Sequence, residues 1–345
     1  MVVVCLHLDI DVRDVAPAGV HKMVASVFMS DGLDPSATTV VLTCLPGGGM
    51  SRRYFDLQPE RPIVDPVDDD RGAAHDLATY SMAWYLAAQG IIVVLLDHPA
   101  VGDSDVPDDP YVLTPQVVAL LDAHVTGEIV DGLRAGKLDG RAPFTDLRSV
   151  GCGHSMGGML TAYAQAASGV HDALALLGFA GGGLIEHLSD EERTYANDPE
   201  RFAVDAVELT RTRFGRPLSR GDTGPSPFLL AVEVPAYAIA AITTSGSNLL
   251  NVCGLTSMVP GVSKPALDAI DVPVFIGVGE FDITGPSHEI PSHFPASRDV
   301  TLFVCEQMGH NHNVAGTRTV LWDRLAVWLR QIAAAPQKEL RAGPA

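Results

Sequence analysis

Apolar and polar positions divide the chain into short apolar runs separated by longer amphipathic stretches. Val2–Val12 settles into strict apolar/polar alternation, the period of a strand with one wet face. His21–Met29 follows after the turn Pro17-Ala18-Gly19, so the two read as an opening antiparallel pair. Val40–Leu45 is a short apolar strand that runs into Pro46-Gly47-Gly48-Gly49. Ile91–Asp97 is continuously apolar, as a strand buried on both faces would be. Arg148–Gly153, Ala173–Phe179, Val272–Gly279 and Val300–Cys305 add four more strands. Between the strands, Asp76–Gln89 (stopped by Gly90), Pro115–Leu133, Gly157–Ala167 and Arg318–Ala334 carry helical spacing. This alternation predicts an α/β fold: a mostly parallel sheet with helices on both faces.

Residues 183–269 break the rhythm. The interval is rich in Pro, Ser, Thr and Gly, with helix-like patches at Glu200–Phe214 and Phe228–Ile242. It is expected to be an inserted cap over the sheet, leaving 1–182 and 270–345 as the core. The acidic run Asp65-Pro66-Val67-Asp68-Asp69-Asp70 reads as a solvated loop.

Composition narrows the functional classes. The 345 residues suffice for one large α/β domain with an insertion, and 47% apolar against 19% charged residues is a globular balance. The net charge of −19 would repel phosphate backbones and anionic headgroups, which argues against a nucleic-acid partner. Five cysteines form no C-x-x-C pair. Cys44, Cys152 and Cys305 lie inside strand-like runs, where a thiol is most simply a small buried hydrophobe in a reducing compartment. The first residues show no basic leader or small-residue cleavage site, and no apolar run approaches the ~20 residues of a bilayer span. The expectation is a cytoplasmic protein with no membrane span. A homodimer is the one assembly left open.

Candidate chemistry centres on Gly153-His154-Ser155-Met156-Gly157-Gly158, which matches G-x-S-x-G between a strand-like and a helix-like segment. A serine at such a turn projects its hydroxyl out of the sheet, beside a helix N-terminus that favours developing negative charge. The hydroxyl needs a base, expected downstream with an acid between. Asp282, just past the apolar run Phe275–Gly279, is the candidate acid, with Glu280 as competitor. His310 and His312, in Gly309-His310-Asn311-His312, are the candidate bases. His310 is favoured because a glycine precedes it, while His312 would line the pocket or cap the last helix. The oxyanion donors are expected to be the backbone N–H of Met156 and one from the run Gly47-Gly48-Gly49, either Gly48 or Gly49. No third ligand has metal-binding spacing to the two histidines, so neither metal nor cofactor is expected.

In order along the chain, Leu45-Pro46-Gly47-Gly48-Gly49, Asp97-His98-Pro99-Ala100-Val101-Gly102-Asp103-Ser104, Gly153–Gly158, Gly279–Asp282 and Gly309-His310 resemble the α/β-hydrolase family. The resemblance runs from about residue 20 to 332. It implies an eight-stranded, mostly parallel sheet, a Ser155–Asp282–His310 triad and a lid after strand six. Pro46 departs from the histidine that many members carry there.

A serine nucleophile points away from family members that form an alkyl ester on aspartate. It favours acyl transfer to water, as in an esterase or lactonase, and carbon–carbon hydrolysis uses the same triad. The apolar stretches Phe228–Val232 and Tyr237–Ile242 suggest a small apolar or amphipathic substrate. A non-catalytic ligand-binding protein on the same fold would be expected to carry a damaged triad, and here all three candidates are present.

Overall fold

Eight strands form one continuous sheet in the computed structural model, which describes residues 2–59, 80–138, 140–220 and 227–336. In chain order they are β1 (Val3–Asp11), β2 (Lys22–Ser30), β3 (Thr39–Leu45), β4 (Ile92–Leu96), β5 (Leu147–His154), β6 (Ala173–Leu177), β7 (Val274–Phe281) and β8 (Val300–Gly309). Their spatial order is β1-β2-β4-β3-β5-β6-β7-β8. β2 pairs antiparallel with both β1 and β4, and every other pairing is parallel. The acidic run 65–70 and the first residues of the expected 76–89 helix lie outside the described residues.

The apolar strands work by their period of two. In β4, Ile92, Val94 and Leu96 enter the hydrophobic cluster on one face, while Val93 and Leu95 enter the cluster on the other. Helices α2 (Pro115–Arg134) and α3 (Met156–Ser168) cover the first face through Val118, Leu121, Val125, Met159 and Leu160. Helices α1 (Met82–Ala87) and α7 (Arg318–Ala334) cover the second through Met82, Leu86, Leu321, Trp322, Leu325 and Leu329. α1 is shorter than the pattern predicts because Tyr80–Ser81 pairs with Asp56–Leu57, and Ser81 then caps the helix by accepting from Trp84 N–H.

Within 183–269 the structure holds helices α4 (Pro199–Phe214), α5 (Ala236–Thr244) and α6 (Asn251–Met258). Leu188, Tyr195, Phe202, Leu209, Val252 and Leu255 form a hydrophobic cluster of their own. The expected single helical patch at Phe228–Ile242 is broken. One turn at Pro227–Leu230 ends at Ala231, whose φ is 55°, and α5 begins only after Pro235. Ala238, Ala241 and Ile242 pack into the second-face core, and Ala241 also borders a hollow with His7, Ser26 and Arg52 that does not reach Ser155.

A buried ion pair ties the sheet to the turns above it. Asp97, at the end of β4, accepts the Arg52 N–H at 2.7 Å and pairs with the Arg52 guanidinium, which also meets Asp103 at 2.8 Å and donates to Ser26 Oγ at 3.1 Å. Burial pushes the Asp97 carboxyl up, and Arg52 offsets part of that push. Gly102 is required beside it: its φ is +57°, and a Cβ there would stand 2.0 Å from Asp97 Oδ2. Removing one member of a buried pair strands the other, so Arg52→Met should destabilise the protein by about 3–5 kcal/mol. Urea denaturation followed by circular dichroism measures this; a loss below about 1 kcal/mol would show that the pair does not hold the turn.

Candidate active site

The glycines around Ser155 exist for space. A Cβ at Gly153 would fall 2.2 Å from the Gly157 carbonyl oxygen, and one at Gly157 would fall 2.2 Å from that of Leu45. Strand β5, helix α3 and the end of β3 therefore meet where only hydrogen fits. Ser155 at their junction is held at φ 55° and ψ −122°, a region costing on the order of 1–3 kcal/mol for a residue with a side chain. Its N–H is anchored to the Leu177 carbonyl at 2.8 Å, and its own carbonyl accepts the Gly158 N–H at 2.9 Å to start α3. Among the described residues, no acceptor faces the Met156 N–H.

The downstream candidates come to this serine. His310 Nε2 lies 2.9 Å from Ser155 Oγ, and His310 Nδ1 lies 2.7 Å from Asp282 Oδ1. Asp282 accepts two backbone bonds as well, from Ile283 N–H at 2.8 Å and Gly279 N–H at 3.2 Å. Glu280 stays outside this line: it is exposed and accepts the Gln307 N–H at 3.0 Å across a bulge between β7 and β8.

His312 neither lines the cleft nor caps the final helix. Its Nε2 donates to Asp282 Oδ2 at 2.7 Å, so one carboxylate serves both histidines, one through each oxygen. Burial would raise the Asp282 carboxyl, yet the bonds from His310 and His312 hold it well below the usual carboxylate range. The glycine before His310 also has a different role from the one its position suggests. A Cβ at Gly309 would stand 1.9 Å from the Leu230 carbonyl oxygen, so this glycine admits a close approach of the 183–269 segment instead of supplying turn freedom.

Several supporting residues carry no motif beyond their neighbours. His154, inside the G-x-S-x-G run, stacks on Tyr54 at 4.6 Å and donates Nε2–H to the His310 carbonyl at 2.8 Å. Asn313 donates to the Tyr54 carbonyl at 3.0 Å and accepts the Trp322 Nε1–H at 3.0 Å, which fixes the loop bearing both histidines. Of the glycine run, Gly47 and Gly49 are buried and Gly48 is exposed, close to Met156 and under Leu249. The cleft at Ser155 is small, ≈ 40 Å³, with Met156, Phe179, Leu184, Ser257 and Ile283 among its walls. Leu184 and Ser257 come from the 183–269 segment, and among the described residues, 229–242 contribute no wall to this cleft. A larger hollow of ≈ 380 Å³ between α2, α3 and α4 does not reach Ser155.

Strand order, parallel pairing, and a strained serine between β5 and α3 together decide the architecture. The chain has the α/β-hydrolase fold. No family model matches it, and no curated protein sequence does. An esterase from Thermogutta terrifontis is similar over 95% of this chain and 99% of its own, with TM-score 0.55 and 15% identity. A lipase in an open form matches over 96% and 100%, with TM-score 0.55 and 18% identity. A 2-hydroxy-6-oxo-6-phenylhexa-2,4-dienoate hydrolase from Rhodococcus sp. strain RHA1 matches over 97% and 100%, with TM-score 0.53 and 17% identity. Among the described residues of this α/β-hydrolase fold, no helix is long and apolar enough to cross a membrane.

The buried histidines set a pH dependence of stability. Burial, with His310 and His312 beside it, pulls His154 well below 6.5, and burial pulls His171 down to about 3. The unfolded chain takes up these protons near pH 6.5 while the folded chain refuses them. The contribution of these two histidines is therefore full above about pH 6.5 and falls below it, by about 1.4 kcal/mol per pH unit for each. Urea titrations at pH 7 and 5.5 should show the loss, and His154→Asn should remove about one proton of the dependence. The same pH dependence in wild type and His154→Asn would mean that His154 titrates normally in the folded protein.

Proposed function

We propose that the protein is a serine hydrolase that cleaves a carboxylic ester or lactone of a small apolar or amphipathic molecule through an acyl-enzyme on Ser155. The observation that carries this reading is the unbroken line Ser155 Oγ–His310–Asp282, with contacts of 2.9 and 2.7 Å, at a strained strand-to-helix turn. In this reading His310 Nε2 takes the serine proton as Oγ attacks the carbonyl carbon. Asp282, ionised throughout the neutral range, holds the ring with Nδ1–H toward itself and stabilises the imidazolium. The N–H groups of Met156 and Gly48 receive the oxyanion, as fixed backbone donors that need no reorganisation when the charge develops. As the intermediate collapses, the leaving alcohol takes the proton from His310. Water then repeats the sequence, releasing the acid and restoring the serine.

The segment 183–269 acts as the cap in this reading. It places Leu184 and Ser257 at the cleft and Leu249 against Gly48. A cleft of ≈ 40 Å³ admits a short acyl group, and longer groups must displace these side chains.

The test is hydrolysis of p-nitrophenyl esters of increasing chain length. We expect kcat/KM to rise over the first few carbons, by up to about 0.8 kcal/mol per buried methylene, and then to stop rising. Ser155→Ala should lower kcat by several orders of magnitude and abolish labelling by a fluorophosphonate. Asp282→Asn should cost far more activity than Glu280→Gln. Full esterase activity in Ser155→Ala would overturn the assignment. Labelling of Ser155 with no ester hydrolysis would move the reaction to a carbon–carbon substrate, and absence of labelling would favour a binding protein.

A further inference from the structure

His98 is wholly buried, on the turn that follows β4, and it stands at neither end of the proposed proton path. Its Nδ1 lies 2.7 Å from Asp122 Oδ2 on α2, and its Nε2 lies 3.1 Å from the carbonyl oxygen of Pro46. A neutral imidazole has one N–H, and here both nitrogens face acceptors. Both bonds are made when the ring carries two protons beside the Asp122 carboxylate. Burial works against that charge, but Asp122, the Pro46 carbonyl and Asp97 outweigh it and leave the His98 pKa raised.

What this pair grips is the start of the glycine run. The Pro46 carbonyl and the Gly47 N–H are two ends of one rigid peptide plane. The next plane is held too, because the Gly47 carbonyl accepts the Met50 N–H at 3.2 Å. At the far end of that second plane is the Gly48 N–H. Three consecutive glycines have the widest backbone freedom a chain offers, so an N–H among them points in one direction only if its neighbours are fixed. A buried ion pair contributes little net stability compared with apolar side chains of similar volume, so stability alone is a poor reason for this one.

We propose that His98, held by Asp122, is a positioning residue that clamps the Pro46–Gly47 peptide and thereby aims the Gly48 N–H at the oxyanion. The proposal rests on the esterase reading for the role of Gly48, and its structural half stands without it.

The test compares wild type with His98→Leu/Asp122→Leu, which removes both charges together, and with Asp122→Asn, which keeps a hydrogen-bonding partner for His98. Four quantities are measured: kcat and KM on a short p-nitrophenyl ester, the inhibition constant of a trifluoromethyl ketone that forms an oxyanion on Ser155, the backbone amide shifts of Gly47 and Gly48 by NMR, and the His98 ring ¹⁵N shifts at pH 7. Loss of a whole oxyanion donor costs about 10²–10³ in kcat; a misaimed one should cost about 10–100-fold. The double variant should show that fall with KM within about twofold, weaker ketone inhibition in proportion, and displaced Gly47 and Gly48 amides. Asp122→Asn should keep kcat within about fivefold of wild type, and two protonated ring nitrogens should appear on wild-type His98. A folded double variant with unchanged kcat and unmoved glycine amides overturns the clamp, as does Asp122→Asn as damaged as the double variant. If the double variant does not fold, a singly protonated His98 ring in wild type overturns it and a doubly protonated one supports it. Wild type without Ser155-dependent hydrolysis sinks the esterase reading instead, and the glycine amides then decide the clamp alone.

Discussion

One backbone conformation organises this molecule: Ser155 at φ 55° and ψ −122°, between the last residue of β5 and the first of α3. A residue with a side chain is held there only if its surroundings over-determine it. They do so from three directions. Leu177 of β6 takes its N–H, α3 takes its carbonyl, and the end of β3 presses against Gly157 so closely that no side chain fits. The parallel order β3-β5-β6 is what brings those three elements to one point. The strain has a structural return. It leaves the hydroxyl projecting toward β7 and β8, where the loops after those strands bring Asp282 and His310 within hydrogen-bond reach.

Around that serine the dominant problem is electrostatic. Three imidazoles and one carboxylate lie buried together: the ring centres of His154 are 4.8 Å from those of His310 and 5.2 Å from those of His312. The proton count can be read from the partners. Asp282 takes four donors and stays ionised. His312 spends Nε2–H on that carboxylate, and its Nδ1 is buried with no partner among the described residues. His154 is in the same position, with Nε2–H given to the His310 carbonyl and a bare Nδ1. Burial thus confines His154 to the neutral form, with its pKa well below the ordinary histidine value. The ring that touches the serine keeps a carboxylate on its far side.

What was legible in the sequence follows from which contacts are local. The elbow could be read because strand, G-x-S-x-G and helix are contiguous, and the continuous apolar runs gave β4 and β6 because burial on both faces leaves no polar position. Asp282 and His310 could be named because strand ends carry functional groups in this kind of sheet. The role of His312 could not, since nothing in Asn311-His312-Asn313 shows that its partner is the same aspartate 30 residues earlier. Gly309 was misread for a similar reason: its requirement comes from Leu230, which is remote in the chain. His98 with Pro46 and Asp122, and Asn313 with Tyr54, span 52, 24 and 259 residues, and no period or motif encodes such pairings. The apolar run Tyr237–Ile242 carries the signature of a pocket wall and of core packing alike, and only the fold shows that Ala238, Ala241 and Ile242 are core.

The segment 183–269 and the glycine loop are not independent parts. Ser51 donates both its N–H, at 2.8 Å, and its hydroxyl, at 3.0 Å, to the Ser245 carbonyl. Ser247 gives its N–H to the Gly49 carbonyl at 2.8 Å and accepts the Gly102 N–H on its hydroxyl at 2.7 Å, while Asn248 donates to the Ala100 carbonyl at 2.7 Å. Residues 245–248 are therefore laced to the loop after β3 and to the turn after β4 by short, partly buried bonds. The same loop is gripped from below by His98, and the same turn by Arg52 through Asp97. Whatever enters the cleft beside Leu249 and Ser257 pushes on a segment whose next residues hold Gly49. Displacing the insertion to admit a larger molecule strains the backbone beside Gly48, so the room in the cleft and the geometry of the glycine loop are set by one mechanical unit.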